Sequence, residues 1–258
     1  KNVEVENIEK NPLCAHLGTE DSSPLSFCSK CLKEVEDKTN KNYYNPFIFC
    51  DDCGQDLGAK SLILFDEKKE IKKSNNIEYF EYTAKLINDG KRVKIKTLSG
   101  EFIFSKLDFI DKKEEENIKI LSTDLNSIFN IFIATKQEII ALASMEKPLI
   151  NLTINEIFKS KNILNNEKFD VRYANDMILY LLSLELEKYS IKFLAYWESD
   201  IFDYSLTFDN TNKYEKIDIP KISILDNSKV IILNSNSYDK SLDGLYKEFS
   251  HKDKGQLM

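Results

Sequence analysis

The sequence predicts an α+β fold: a small four-cysteine module followed by a mixed, twisted sheet with helices on its faces. Three observations predict it. Two Cys-x-x-Cys pairs, Cys28/Cys31 and Cys50/Cys53, stand eighteen residues apart. Beyond Ile77 the apolar residues switch repeatedly between helical spacing and strict alternation, the pattern of interleaved helices and strands. A chain of 258 residues, 42% of them apolar with 16 Phe and 12 Tyr, can fill one sizeable core and a small module besides.

Four soft thiolates in two pairs suit a tetrahedral zinc, each ligand at roughly 2.3 Å. Two cysteines three apart on a tight turn reach one metal from one side, and the second pair closes the tetrahedron from the other. No coordination position stays open, so the expected zinc is structural. Gly54, directly after the second pair, fits such a knuckle. The alternative is a set of disulfides or free thiols. With no signal peptide in view the expected compartment is the cytoplasm, where disulfides are rare. Cys14 and His16 form a separate Cys-x-His pair for which two further ligands are lacking. Cys14 is read as standing outside the zinc site, the alternative being exchange into it.

Along the chain, residues 1–25 are polar with Pro12 and Pro24 and read as an irregular lead-in. The zinc module spans 26–60, and Tyr43, Tyr44, Pro46 and Phe47 between its cysteine pairs supply a small apolar cluster. A module of this size buries too little surface to fold by itself, so the metal must supply much of its stability. A connecting segment, 61–76, holds a short strand from Ser61 to Phe65 and the charged run DEKKEIKKSNN, read as a linker or hairpin excursion. The main α/β domain covers 77–235. Ile77, Phe80, Ala84 and Ile87 recur at helical spacing with Gly90 as C-terminal cap. Val93, Ile95 and Thr97 alternate, Ser99-Gly100 turns, and Phe102 and Phe104 alternate again, which makes a hairpin. Thr135 and Glu138 form a capping box ahead of Ile139, Leu142 and Ala143, and a strand from Pro148 to Thr153 follows. A helix carries Ile178, Leu181, Leu182, Leu186 and Tyr189, read as core. Strands are expected at Ile191 to Trp197, at Phe202 to Phe208 and at Val230 to Leu233. A helix from Ser241 to Phe249 closes the chain within a final segment, 236–258.

Composition excludes several functions. A formal charge of −7 argues against nonspecific binding to nucleic acid or anionic membrane, which is driven by surplus Lys and Arg. No apolar run is long enough to span a bilayer. Only seven glycines occur, without a Gly-x-Gly-x-x-Gly or Gly-x-x-x-x-Gly-Lys, so a conventional phosphate-cradling loop is not expected. The two histidines, His16 and His251, stand near opposite ends of the chain, which leaves no Ser-His-Asp or Cys-His constellation. No catalytic residue is assigned. The start at Lys1 reads as that of a processed or cut-down chain.

Two stretches, in order, resemble one family. The cysteine module is similar to the second zinc finger of HypF, the carbamoyltransferase that helps make the cyanide ligands of nickel–iron hydrogenases. Glu34, Glu36, Tyr43, Tyr44, Pro46 and Gly54 occupy the corresponding places, and Gln55 stands where the family has proline. The next domain resembles the YrdC-like domain that follows this finger. INDGKRVKIKTLSGEFIF (87–104) is similar to "L-x-x-G-x-I-V-A-I-K-G-L-G-G-F-H-L". TKQEIIALASMEKPLINL (135–152) is similar to "E-x-x-L-x-S-P-x-R-P-I-V-L-L", and FDVRYANDMILYLLSLEL (169–186) sits where the family has "V-G-V-M-L-P-Y-T-P-L-H-H-L-L". Short HypF-related accessory proteins encoded with uptake hydrogenases, of the HydE type, would fit such a chain.

The resemblance implies a YrdC-like fold and a place in hydrogenase maturation, with hydrogenase or other maturation proteins as partners. It also implies a site for ATP and a carbamoyl-adenylate, to which Lys96 and Ser99 would contribute. The departures point to a degenerate site. Thr97-Leu98-Ser99-Gly100 replaces the glycine-rich element, Phe102 takes the histidine position, and the acidic DKKEEE (111–116) stands in for a basic loop. A polyanionic adenylate in a desolvated pocket that had turned acidic would be repelled by several kcal/mol. The expected function is therefore a noncatalytic accessory or scaffold protein. An active carbamoyl or adenylyl transferase is the first alternative, and a zinc-ribbon nucleic-acid module the second.

Overall fold

A computed structural model describes residues 27–50, 58–110, 117–144, 147–209, 219, 221–224 and 230–234. The first helix, α1 (Ser29–Glu36), belongs to the cysteine module. It is followed by the hairpin β1 (Leu62–Asp66) and β2 (Lys69–Ile71), α2 (Asn76–Asn88), and the hairpin β3 (Val93–Thr97) and β4 (Gly100–Lys106). Next come β5 (Lys119–Ser122), a 3-10 turn at Leu125–Asn130, β6 (Phe132–Ile133), α3 (Lys136–Ala143), β7 (Leu149–Ile154) and the single turn α4 (Glu156–Lys159). The chain continues through β8 (Lys168–Tyr173), α5 (Met177–Glu187), β9 (Phe193–Trp197), β10 (Tyr204–Phe208), β11 (Lys221–Ile224) and β12 (Val230–Asn234).

The twelve strands among the described residues join one mixed sheet in the order β12-β11-β7-β8-β5-β9-β4-β3-β10-β1-β2, with β6 beside β7. Three pairs are parallel: β3 with β10, β5 with β8, and β7 with β11. The pleat sends successive side chains to opposite faces, and each face has its own core. Along β9, Leu194 and Tyr196 enter one cluster with α1, α2 and α5, while Phe193, Ala195 and Trp197 enter another with the 3-10 turn, α3 and α4.

Local chemistry explains the element ends. Asn75 caps α2 by accepting from the Glu78 N–H, and Gly90 ends the helix at φ 80°, a backbone that glycine adopts without a Cβ penalty. A Cβ there would lie 3.0 Å from the Phe109 ring. The expected capping box is present at α3: Thr135 accepts from the Glu138 N–H, and Glu138 accepts from the Thr135 N–H. The hairpin closes between Thr97 and Gly100 as the alternation predicts, and the charged 66–76 run is indeed a hairpin excursion, since β2 folds back on β1. The first cysteine pair is not on a free turn. Cys28 is the N-cap of α1 and Cys31 lies in its first turn, because a three-residue spacing puts two side chains on one helix face. Cys14, His16, the DKKEEE run and the 241–249 helix lie outside the described residues. Among the described residues no helix is long and apolar enough to cross a membrane.

Candidate functional site

Cys28, Cys31 and Cys50 converge, all buried, with sulfur atoms within 4.8 Å of one another. Cys28 Sγ lies 3.8 Å from Cys31 Sγ and 3.9 Å from Cys50 Sγ. Thiolates bound at roughly 2.3 Å to one tetrahedral ion stand about 3.8 Å apart, so three corners of such a site are formed. Cys28 stands at the N-cap of α1, the helix end whose dipole attracts negative charge. Cys53, the fourth expected ligand, lies outside the described residues.

The finger is seated on the sheet's helical layer. Phe27, Val35, Tyr44 and Ile48 share one buried cluster with Phe80 of α2 and Leu182 of α5. Tyr44, held at φ 54°, donates from its hydroxyl to Glu185 Oε1 at 2.5 Å. Glu185 is 1% exposed and also receives the Lys188 ammonium at 2.6 Å. Burial, followed by the bond to Glu185, pushes the Tyr44 phenol far above its usual range. On the same helix, the Tyr180 hydroxyl donates to Glu36.

A second polar group lies at the β3–β4 turn, where the nucleotide residues were expected. Ser99 is buried, 3.1 Å from the Thr97 hydroxyl, and its Oγ accepts from Arg172 Nη1 at 3.1 Å. Arg172, from β8, is 0% exposed. Its guanidinium carbon sits 4.6 Å from the Tyr196 ring centroid and 5.8 Å from that of Phe102, and its Nε and Nη2 find no acceptor among the described residues. Asp176 binds the turn to α5, accepting from the Leu98 N–H at 2.9 Å and from the Leu179 N–H at 2.8 Å. Burial raises its pKa, against the pull of those two N–H groups and of Arg172. Burial likewise lifts the Tyr196 phenol to about 12, while Arg172 opposes the rise. Lys96 has different neighbours: half-buried, it holds its ammonium 4.4 Å from the Phe208 ring centroid.

Ser99 therefore joins a buried network with Arg172 and Thr97, which sequence reasoning did not anticipate. An arginine inside the apolar strand run Val171 to Tyr173 was the available signal for Arg172. Lys147 was also missed. Aligned with the arginine of the "P-x-R-P" pattern, it is buried, donating to the Ala143 carbonyl at 3.0 Å and lying over the rings of Tyr173 and Phe27.

Residues 27–57 match the family model of the HypF finger. No curated protein sequence matches the chain. Among solved structures, the chain is similar to HypF of T. kodakarensis, with 17% identity over 81% of this chain and 36% of that one, at a TM-score of 0.65. It is also similar to full-length HypF in a phosphate- and nucleotide-bound form, with 16% identity over 82% and 36%, at a TM-score of 0.66. The match to E. coli YciO, at 11% identity over 62% and 89%, has a TM-score of 0.46. The chain thus spans about a third of the length of the HypF structures it matches. It combines a HypF-like finger with the YrdC-like mixed sheet that the sequence led us to expect.

Proposed function

We propose that this chain is a noncatalytic, HypF-related accessory or scaffold protein of nickel–iron hydrogenase maturation. It would act in the cytoplasm with the hydrogenase or other maturation proteins as partners. Cys28, Cys31, Cys50 and Cys53 hold a structural zinc, and four thiolates leave that ion no position for substrate. The zinc supplies cross-linking rather than reaction chemistry: it ties α1 to the segment carrying Cys50.

The observation that carries the noncatalytic reading is the closure of the β3–β4 turn. Ser99, Arg172, Tyr196 and Phe102 are all buried, and Ser99 spends its hydroxyl on Arg172 and Thr97. A phosphate-binding turn needs accessible N–H groups, yet here the Leu98 N–H is taken by Asp176 and the Ser99 N–H by Thr97.

One observation favours the transferase reading. Two nitrogens of the buried Arg172 guanidinium, Nε and Nη2, have no acceptor among the described residues, an arrangement that suits a planar anion. Calorimetry on zinc-loaded protein, with zinc counted on the same sample, separates the two. One zinc per chain and flat titrations with millimolar ATP and carbamoyl phosphate are expected; a micromolar dissociation constant for either would overturn the scaffold reading.

A further inference from the structure

The finger covers charged groups as well as apolar ones. Phe27, immediately before the ligand Cys28, packs 5.0 Å from the Tyr180 ring and takes the Lys147 ammonium over its face at 5.7 Å. Tyr173 lies under the same ammonium at 4.9 Å, and Lys147 is 8% exposed. Between the two cysteine pairs, Tyr44 donates to the buried Glu185. The covered lysine belongs to the segment before β7 and the covered glutamate to α5, so a single seating of the finger shields both.

We propose that the finger is a metal-held cover, and that its seating keeps the Lys147 ammonium and the Glu185 carboxylate out of water. The module cannot sustain a core by itself, so its shape depends on the metal. The residues that contact the sheet domain are tied to the ligands: Phe27 adjoins Cys28, and Tyr44 lies between the two cysteine pairs. Without metal these contacts lose their common support. Both covered groups keep a partner after release, since Lys147 retains the Ala143 carbonyl and Glu185 retains Lys188. Hydration of each then offsets part of the lost contact. The sheet keeps its second core, which among the described residues contains none from the finger. Metal load would thus be read out as the exposure of one lysine and one glutamate, at a surface that forms only when the cover lifts.

The test follows lysine acylation by an N-hydroxysuccinimide ester of acetate, read residue by residue by mass spectrometry, with amide hydrogen exchange on the same samples. In zinc-loaded protein Lys147 should react at least tenfold more slowly than the exposed Lys136. After chelation its rate should rise at least tenfold while the Ile120, Val171 and Ala195 amides stay protected. Phe27→Ala, with zinc still bound, should raise Lys147 labelling and leave finger exchange unchanged. The proposal is overturned if Lys147 stays slow once the zinc is gone, or if the sheet amides lose protection with it. It also fails if Phe27→Ala changes nothing, or if the protein neither carries nor takes up zinc. None of these readouts involves ATP or a hydrogenase partner, so the result is independent of the scaffold reading.

Discussion

At Asp176 one carboxylate ties the hairpin turn to α5, one oxygen accepting from Leu98 and the other from Leu179. Asparagine offers a single acceptor, so Asp176→Asn leaves one buried N–H facing an amide donor, at a cost of about 1–3 kcal/mol. The pH dependence carries a definite sign. Burial raises the folded pKa above the unfolded value of about 3.9, so across that window the folded state holds more proton than the unfolded one. Stability from this group falls as pH rises through the window. The wild type's advantage over Asp176→Asn in urea midpoint should therefore be largest near the lower edge and narrow upward; a constant difference would show that the carboxylate does not titrate there. Asp176 as the cap of α5 was not read from the sequence, although an aspartate directly before an apolar run was the available signal. Arg172 as a network member was not: Ser99 lies 73 residues away in sequence, and only the strand order brings β8 near the hairpin.

Elements with an internal signal were the legible ones. The α2 spacing, the β3–β4 alternation and the Thr135/Glu138 box each appear where expected. β5 and β8 were not read, because KILS is too short to alternate and KFDVRY carries charged residues into a central strand. The capping box gives a clean test. Thr135 sits at an exposed N-cap with both reciprocal bonds made, so Thr135→Ala should lower stability by about 1 kcal/mol without altering zinc content; no shift in thermal midpoint would mean that the cap is redundant. α5 poses the opposite case. Most of its residues from Met177 to Leu186 are buried, because the finger covers one side and the sheet the other. Leu182→Ala should therefore cost about 2–5 kcal/mol by chemical denaturation, whereas a surface-helix leucine would cost far less.

Across the whole molecule, sequence composition divides finger from sheet domain, but burial does not follow that line, since both contribute to one core. Charge shows a similar mixing. The 36 Lys and Arg are outnumbered by 43 Asp and Glu, and several of the cations are matched locally: Lys94 lies near Glu101 and Asp200, Lys159 near Glu167, Lys192 near Glu187 and Asp124, and Lys221 near Asp170. Exposed pairs of this kind add little stability, yet they remove the surplus positive field on which phosphate-backbone affinity depends. A four-cysteine finger alone would suggest a nucleic-acid module; the charge around this one argues the other way. The zinc-loaded protein should elute from heparin below roughly 0.15 M salt, where the screening length is still about 8 Å and any basic stripe would hold it. Retention beyond roughly 0.5 M would require a concentrated cationic face and would revive the nucleic-acid reading. The competing charges make early elution the expected result: a polyanion approaching any of these lysines also meets the carboxylate beside it.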